Sequence, residues 1–295
     1  MTWADRLIKV RHGSTAPTYA ALIAPHPALA SCVRAYVSRH TLQARLSDTD
    51  RQNHFPPAPT CAITWFIQGS YAHLHQNGQT VVAQPPWPVM FTGPHTAPTV
   101  SVNPGPVQSF IVLLLPDALQ ALTGLDIAAL VDQYRAPAQV LAPDWQALTE
   151  AVLHAPDDAT RVHLIEDFLL PRWQALGNMP TGAAAPFQRW VGDVAQRAEA
   201  HAQGRSERQV DRRIKDWTGL ALRQLRGIGR AESTLLRVQQ ETPFGRIPWA
   251  DISAAAGFAD QAHLSREIRR LTGMRPSEFR QKLKQESYWL YQIWS

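Results

Sequence analysis

The chain has 295 residues, 45% of them apolar, which fits a folded protein with room for two domains and excludes a disordered one. Its longest apolar run, residues 110–115, is far too short to span a bilayer, and the first twenty residues contain no apolar stretch of signal-peptide length. The composition therefore points to a soluble, cytoplasmic protein. The net charge of +5 is unevenly placed: residues 1–186 hold 10 Lys and Arg against 12 Asp and Glu, whereas residues 187–295 hold 19 against 12. A basic half of that kind suits a polyanion, although a well-solvated surface would also carry it.

Cys32 and Cys61 read as two buried thiols, because no CxxC pair accompanies them and no other cysteine exists to complete a zinc site. From about residue 60 to 114 the segments are short and β-prone. Turn signals such as Gln76-Asn77-Gly78 and Asn103-Pro104-Gly105 separate them. This predicts an antiparallel β-barrel or sandwich. From Pro116 to Trp173 the pattern turns helical, with Val162, Ile165, Phe168 and Leu169 on one stripe. The first domain, residues 1–176, is thus expected to be a barrel with a helical annex. The small, Pro-punctuated stretch GNMPTGAAAP, residues 177–186, reads as a linker.

Residues 187–295 read as all-α, so the fold class is α+β. Phe187, Trp190, Val191, Val194 and Ala198 recur at helical spacing before Gly204 interrupts them. Ser206 then stands as an N-cap, with Gln209 three positions on to close a capping box. A long helix follows over about residues 220–240. Thr242-Pro243-Phe244-Gly245 breaks it, and Pro248 opens another helix where its missing N–H costs nothing.

Two segments align without gaps. SERQVDRRIKDWTG starts at Ser206 and DQAHLSREIRRLTG at Asp260, an offset of 54 residues throughout. Val210 matches Leu264, Ile214 matches Ile268 and Trp217 matches Leu271. Arg212 matches Arg266, and Lys215 matches Arg269. Each unit has an apolar stripe and a polar face, carrying Arg208, Gln209 and Arg212 in the first and Gln261, His263 and Arg266 in the second. A short helix and a tight turn precede each, which is the helix-turn-helix arrangement. One such helix could be merely a solvated amphipathic segment; solubility gives no reason for the same unit twice in register. Arg can bind guanine bidentately, Gln can pair with adenine, and Ala262 can touch a thymine methyl. A linking helix of some twenty residues is roughly 30 Å long. It could hold two such helices in successive major grooves, about 34 Å apart.

Residues 187–285 resemble the DNA-binding domain of the AraC family of bacterial transcription regulators. The resemblance rests on Ile252-Ser253, Gly257-Phe258, Asp260, His263-Leu264-Ser265-Arg266, Ile268, Gly273, Pro276 and Phe279-Arg280, with a looser match over the first unit. It departs at Gln203, where a small residue is usual, and at Ser253, which replaces a customary Ala. It implies base contacts from Arg208, Asp211 and Arg212 and from Gln261, Ala262, His263 and Arg266. Gln209, Lys215 and Arg269 lie beside them on the same faces. Asp211 departs from the usual neutral or basic choice. It is expected to pair with a neighbouring Arg or to mark a weaker half-site.

Residues 20–175 resemble, less specifically, the cupin-like sensor domains of that family. The cues are the strand run and the segment Phe91-Thr92-Gly93-Pro94-His95-Thr96. The resemblance implies an effector pocket or a homodimer contact, with double-stranded DNA and RNA polymerase as further partners. Trp65, His73, His75, Trp87, Phe91 and His95 are the candidate pocket residues. His73 and His75 share a strand face and could hold one ion, as in cupin metal enzymes. Gln76-Asn77-Gly78-Gln79 follows them, however, without the acid such enzymes add. The residues therefore predict no metal and no cofactor. The chain lacks GxSxG, P-loop and GxGxxG patterns, so it reads as a regulator rather than an enzyme. The rival reading is a cupin-like metal-dependent enzyme with a helical annex, which stoichiometric iron, zinc or manganese in purified protein would favour. The aromatic end SYWLYQIWS pairs Trp289 with Ile293 and Leu290 with Trp294 at helical spacing. It is expected to pack on its own domain; the alternative is docking onto the sensor domain or a second chain.

Overall fold

A computed structural model describes residues 2–13, 16–76, 79–80, 87–177, 187–202, 206–241, 253 and 260–294. After a single turn of helix, α1 (Trp3–Arg6), come β1 (Leu7–His12), β2 (Tyr19–Ile23), β3 (Val33–His40), β4 (Gln52–Phe55), β5 (Cys61–Gln68), β6 (His73–Gln76), β7 (Gln79–Thr80), β8 (Val89–Thr92), β9 (Thr99–Val102) and β10 (Gln108–Leu114). Helix α2 (Pro116–Thr123), strand β11 (Tyr134–Arg135) and helices α3 (Pro143–Leu153) and α4 (Asp158–Ala175) complete the first domain.

The strands form two antiparallel sheets, in keeping with the antiparallel domain expected from sequence, and they do not close into a barrel. One is ordered β1-β2-β3-β10-β5-β8-β11 and the other β4-β9-β6-β7. Four of these strands precede residue 60, outside the stretch in which strands are expected. Strand β10 sits at the centre of the larger sheet, pairing Ile111 with Val37 on one side and with Thr64 on the other. Both faces of that sheet are covered. Tyr36, Ile63, Trp65, Phe91, Phe110 and Val112 pack against Trp145, Leu148, Val152, Val162, Ile165 and Trp173 of α3 and α4. Trp65 Nε1 donates to the Thr149 carbonyl at 2.9 Å, so the one polar atom of that buried ring is satisfied. The opposite face, with Val37, Thr64, Met90 and Ile111, looks toward the smaller sheet across a cavity of about 210 Å³.

The second domain holds α5 (Phe187–Ala202), α6 (Glu207–Thr218), α7 (Leu222–Glu241), α8 (Gln261–Thr272), α9 (Pro276–Lys282) and α10 (Trp289–Ile293). The linker beyond Gly177, the turn at Gln203-Gly204, the break at residues 242–245, Pro248 and the segment Ile252, Gly257-Phe258 lie outside the described residues. The two domains share one core. Phe187, Trp190, Val191 and Val194 of α5, with Ile214, Leu225, Ile228 and Leu271, belong to the same apolar cluster as the sheet and α4. Asp117, in the first turn of α2, accepts a hydrogen bond from Trp190 Nε1 at 2.9 Å and pairs with Arg197. No described helix is long and apolar enough to cross a membrane.

Candidate functional site

Helices α6 and α8 repeat each other down to their terminal hydrogen bonds. Ile214 and Thr218 are fully buried, as are their counterparts Ile268 and Thr272. The hydroxyl of Thr218 donates to the Ile214 carbonyl at 2.8 Å and accepts from the Leu220 N–H at 3.2 Å. Thr272 does the same with Ile268 at 2.7 Å and Met274 at 3.2 Å. Gly219 and Gly273 then end the helices at φ +75°, a left-handed conformation that glycine adopts without steric cost. The Thr-Gly pairs seen in the sequence are therefore a shared stop signal.

The starts differ. Asp260 caps α8 as expected, its carboxylate accepting from the His263 N–H at 2.6 Å. Ser206 occupies the corresponding N-cap position, but its side chain accepts no capping bond, so the expected capping box with Gln209 does not form. Gln209 N–H instead bonds the Ser206 carbonyl at 2.8 Å.

With the apolar stripes buried, the polar faces are turned out. Arg208, Gln209, Asp211, Arg212 and Lys215 of α6 are exposed, as are Gln261, Ala262, Arg266 and Arg269 of α8; His263 is half-buried. Among the described residues none of Arg208, Arg212, Lys215, Arg266 and Arg269 takes part in an ion pair, so each carries unneutralised charge toward solvent. Arg270, by contrast, is held by Glu267 at 3.0 Å and lies against Gly227 of α7. Of the two expectations for Asp211, the pair with a neighbouring Arg is not found among the described residues. The Asp211 carboxylate accepts at 3.1 Å from the Leu222 N–H, at the start of α7.

Residues 200–282 match the family described as a helix-turn-helix domain, which encloses both units. Residues 200–282 are thus an AraC-type helix-turn-helix domain. Residues 21–135 match a domain of unknown function, DUF6597. No curated protein matches it significantly. Among solved structures it is similar to ToxT from Vibrio cholerae, at 11% identity over 78% of this chain and 93% of that one, with a TM-score of 0.37. A fatty-acid-bound ToxT from Vibrio cholerae strain SCE256 aligns at 12% identity over 78% and 93%, with a TM-score of 0.36. The AraC-like transcriptional activator CuxR aligns at 10% identity over 99% of this chain and 92% of that one, with a TM-score of 0.26.

A cavity lies between the two sheets. Val37, Thr64, Met90 and Ile111 come from the larger sheet, Phe55, Leu74 and Ser101 from the smaller, and Trp289 and Trp294 from the chain's end. Of the six pocket residues expected from sequence, His95 lines it. Its ring stacks on Tyr134 at 4.7 Å, and its Nδ1 lies 3.5 Å from Asp132. Asp132, at φ 56°, also accepts from Gln76 and Thr96. Burial alone would raise the Asp132 pKa, but the neighbouring His95 and the bonds from Thr96 and Gln76 outweigh it and lower it well below the usual carboxylate range. Gly93, in the same signature, is obligatory: an added Cβ would lie 1.9 Å from the Leu130 carbonyl oxygen.

Trp65 and Phe91 need correction. They lie on the other face of the sheet, in the core against the annex. The expectation failed because β5 and β8 are covered on both sides and so carry no alternation to reveal which face is inward. Trp87 packs on Tyr71, Leu74, Met90 and Tyr134 instead of lining the cavity. His75 lies on the opposite side of β6 from Leu74, bonded to Thr80 at 3.3 Å. The side chain of His73 lies outside the described residues. Among the described residues no three His, Cys, Asp or Glu side chains gather as a metal ion would need. The two cysteines are fully buried, and burial pushes both thiols well above the ordinary range, away from nucleophilic chemistry.

Proposed function

We propose that this AraC-type regulator reads a split DNA site with α6 and α8 and acts in the cytoplasm as a transcription factor whose affinity responds to a small molecule held between its two sheets. The observation that carries the reading is the pair of cationic faces, exposed at matching positions 54 residues apart on helices with the same stop geometry. Arg208, Gln209 and Arg212 on α6 and Gln261, Ala262, His263 and Arg266 on α8 supply the base contacts. Lys215 and Arg269, a turn further along, suit phosphates. Asp211 is removed from the reading set, because its carboxylate already serves the start of α7.

Support for the sensing role comes from a mostly apolar cavity with a few convergent polar groups, the usual make-up of a small-molecule site. Selection of bound DNA from a random pool tests the reading. A two-part consensus that loses one part in Arg212→Ala and the other in Arg266→Ala supports it; a pool with no enriched sequence refutes it.

A further inference from the structure

The aromatic end of the chain is not packed only on its own domain. After α9 the chain makes one 3₁₀ turn, Glu286–Tyr288, and then α10 lies across β1, β2 and β4 of the sensor domain. The Glu286 carboxylate is inserted between two guanidinium groups: Arg11 donates to it at 2.6 and 3.2 Å, and Arg39 pairs with it from the other side. The Arg39 guanidinium also lies 4.9 Å from the Trp289 ring centre, and Trp289 Nε1 donates to Asn53 Oδ1 at 2.8 Å. Trp294 bonds Glu232 of α7 and covers Arg34 at 5.0 Å. Trp289, Leu290, Tyr291 and Trp294 form one wall of the cavity between the sheets.

Arg39 is the unusual group. It lines the cavity and its side chain is 2% exposed, yet its Nε and Nη1 have no hydrogen-bond partner. Buried guanidinium donors are costly to leave unmet, so this wall can accept a further anionic oxygen. What now occupies the place is itself instructive. One peptide segment supplies a carboxylate to Arg39 and Arg11 and indole rings to the apolar wall.

We propose that residues 286–294 are a tethered occupant of this site, and that the effector is an apolar compound with an anionic head that binds at Arg39 by displacing them. This rests on reading the cavity as the sensor site. The tail follows directly from α9 and α8, so its release removes one attachment of the second reading helix to the sensor domain and leaves the packing of Leu271 in the shared core as the other. The first stays fixed, because Gln120 Nε2 bonds the Asp216 carbonyl at 2.9 Å and Gly219 packs on Val131. Effector binding thereby changes the spacing between the two helices.

The test uses the full chain with 1-anilinonaphthalene-8-sulfonate and its uncharged analogue N-phenyl-1-naphthylamine. Binding is titrated to wild type, Trp289→Ala, Glu286→Gln and Arg39→Gln, with amide exchange of residues 286–294 followed at saturation. The sulfonate is expected to bind Trp289→Ala and Glu286→Gln at least about fivefold more tightly than wild type, the lower end of ordinary site-to-site coupling. It should abolish protection of the tail in wild type, and Arg39→Gln should weaken it while leaving the uncharged analogue unaffected. Should Trp289→Ala lose its fold by circular dichroism, the isosteric Glu286→Gln decides. Equal sulfonate affinity in wild type and both tail variants, with the tail still protected at saturation, overturns the proposal while the sensor reading stands. Equal response of both probes to Arg39→Gln overturns the anionic head. No binding of either probe to any variant removes the sensor reading and the proposal together.

Discussion

The carboxylate of Asp211 accepts a hydrogen bond at 3.1 Å from the backbone N–H of Leu222, eleven residues on and at the first position of α7. The opening N–H groups of a helix have no partner within it, so this bond satisfies one of them and joins the first reading helix to the connecting helix. Asp211→Ala is therefore expected to cost about 1 kcal/mol of stability, measured by urea denaturation, with the consensus selected from random DNA unchanged. A shifted consensus at wild-type stability would return Asp211 to the reading face.

Arg212 and Arg266 stand at equivalent, exposed positions. Replacing either with Ala should weaken specific binding by about 1–3 kcal/mol and relax base preference in one half of the site only. Lys215→Ala and Arg269→Ala should weaken all sequences about equally and reduce the salt slope of log K by about one each. Fluorescence anisotropy over a range of salt, with matched and mismatched duplexes, separates the two outcomes.

Gly219 and Gly273 share φ +75° but not their surroundings: a Cβ on Gly219 would lie 2.6 Å from Val131 Cγ2, whereas Gly273 has open space. Gly273→Ala should cost about 1 kcal/mol for the left-handed conformation. Gly219→Ala should cost about 1–3 kcal/mol more, because it also overpacks the contact with Val131 of the first domain. Equal melting temperatures for the two variants would mean that the first unit is not seated on that domain.

Docking of the tail is expected to weaken with acid in two stages. His54 stacks on Tyr288 at 4.2 Å, and burial, helped by the nearby positive charge of Lys282, lowers its pKa from 6.5 to about 4. The undocked imidazole therefore takes up a proton that the docked one refuses. Docking loses stability as pH falls below 6.5, down to about 4. Glu286 adds to this. Burial alone would raise its pKa, but Arg11 and Arg39 together hold it at about 2, so its contribution is complete above 4.5 and fades as pH falls toward 2. Thermal melts between pH 7.5 and 5 should show a falling Tm that His54→Gln flattens; an unchanged slope in that variant would contradict the assignment.

Helices α6 and α8 were legible in sequence because one unit occurs twice. Asp260, Ile268 and Thr272-Gly273 each have a counterpart, and local rules fix what caps, buries or stops a helix. Ser206 shows the limit of such rules, since its position is that of a cap while its hydroxyl makes no capping bond. Strands β1 to β4 were not legible because Ala20, Ala21, Arg34 and Arg39 have little intrinsic preference for a strand; pairing across the sheet places them there. Trp65 takes the face opposite to the expected one, because a strand buried on both sides carries no alternation to show which face is inward. The docking of Trp289 on Asn53 joins residues 236 positions apart, and no local pattern encodes a contact of that range.

Nuclease or hydroxyl-radical footprinting on the selected duplex tests the central claim most directly. Two protected segments about one helical turn apart on one face of the DNA are expected, with one chain bound per site and with Arg212→Ala and Arg266→Ala each erasing a different segment. A single protected segment, or two that vanish together in either variant, would contradict a reading head built from two independent helices.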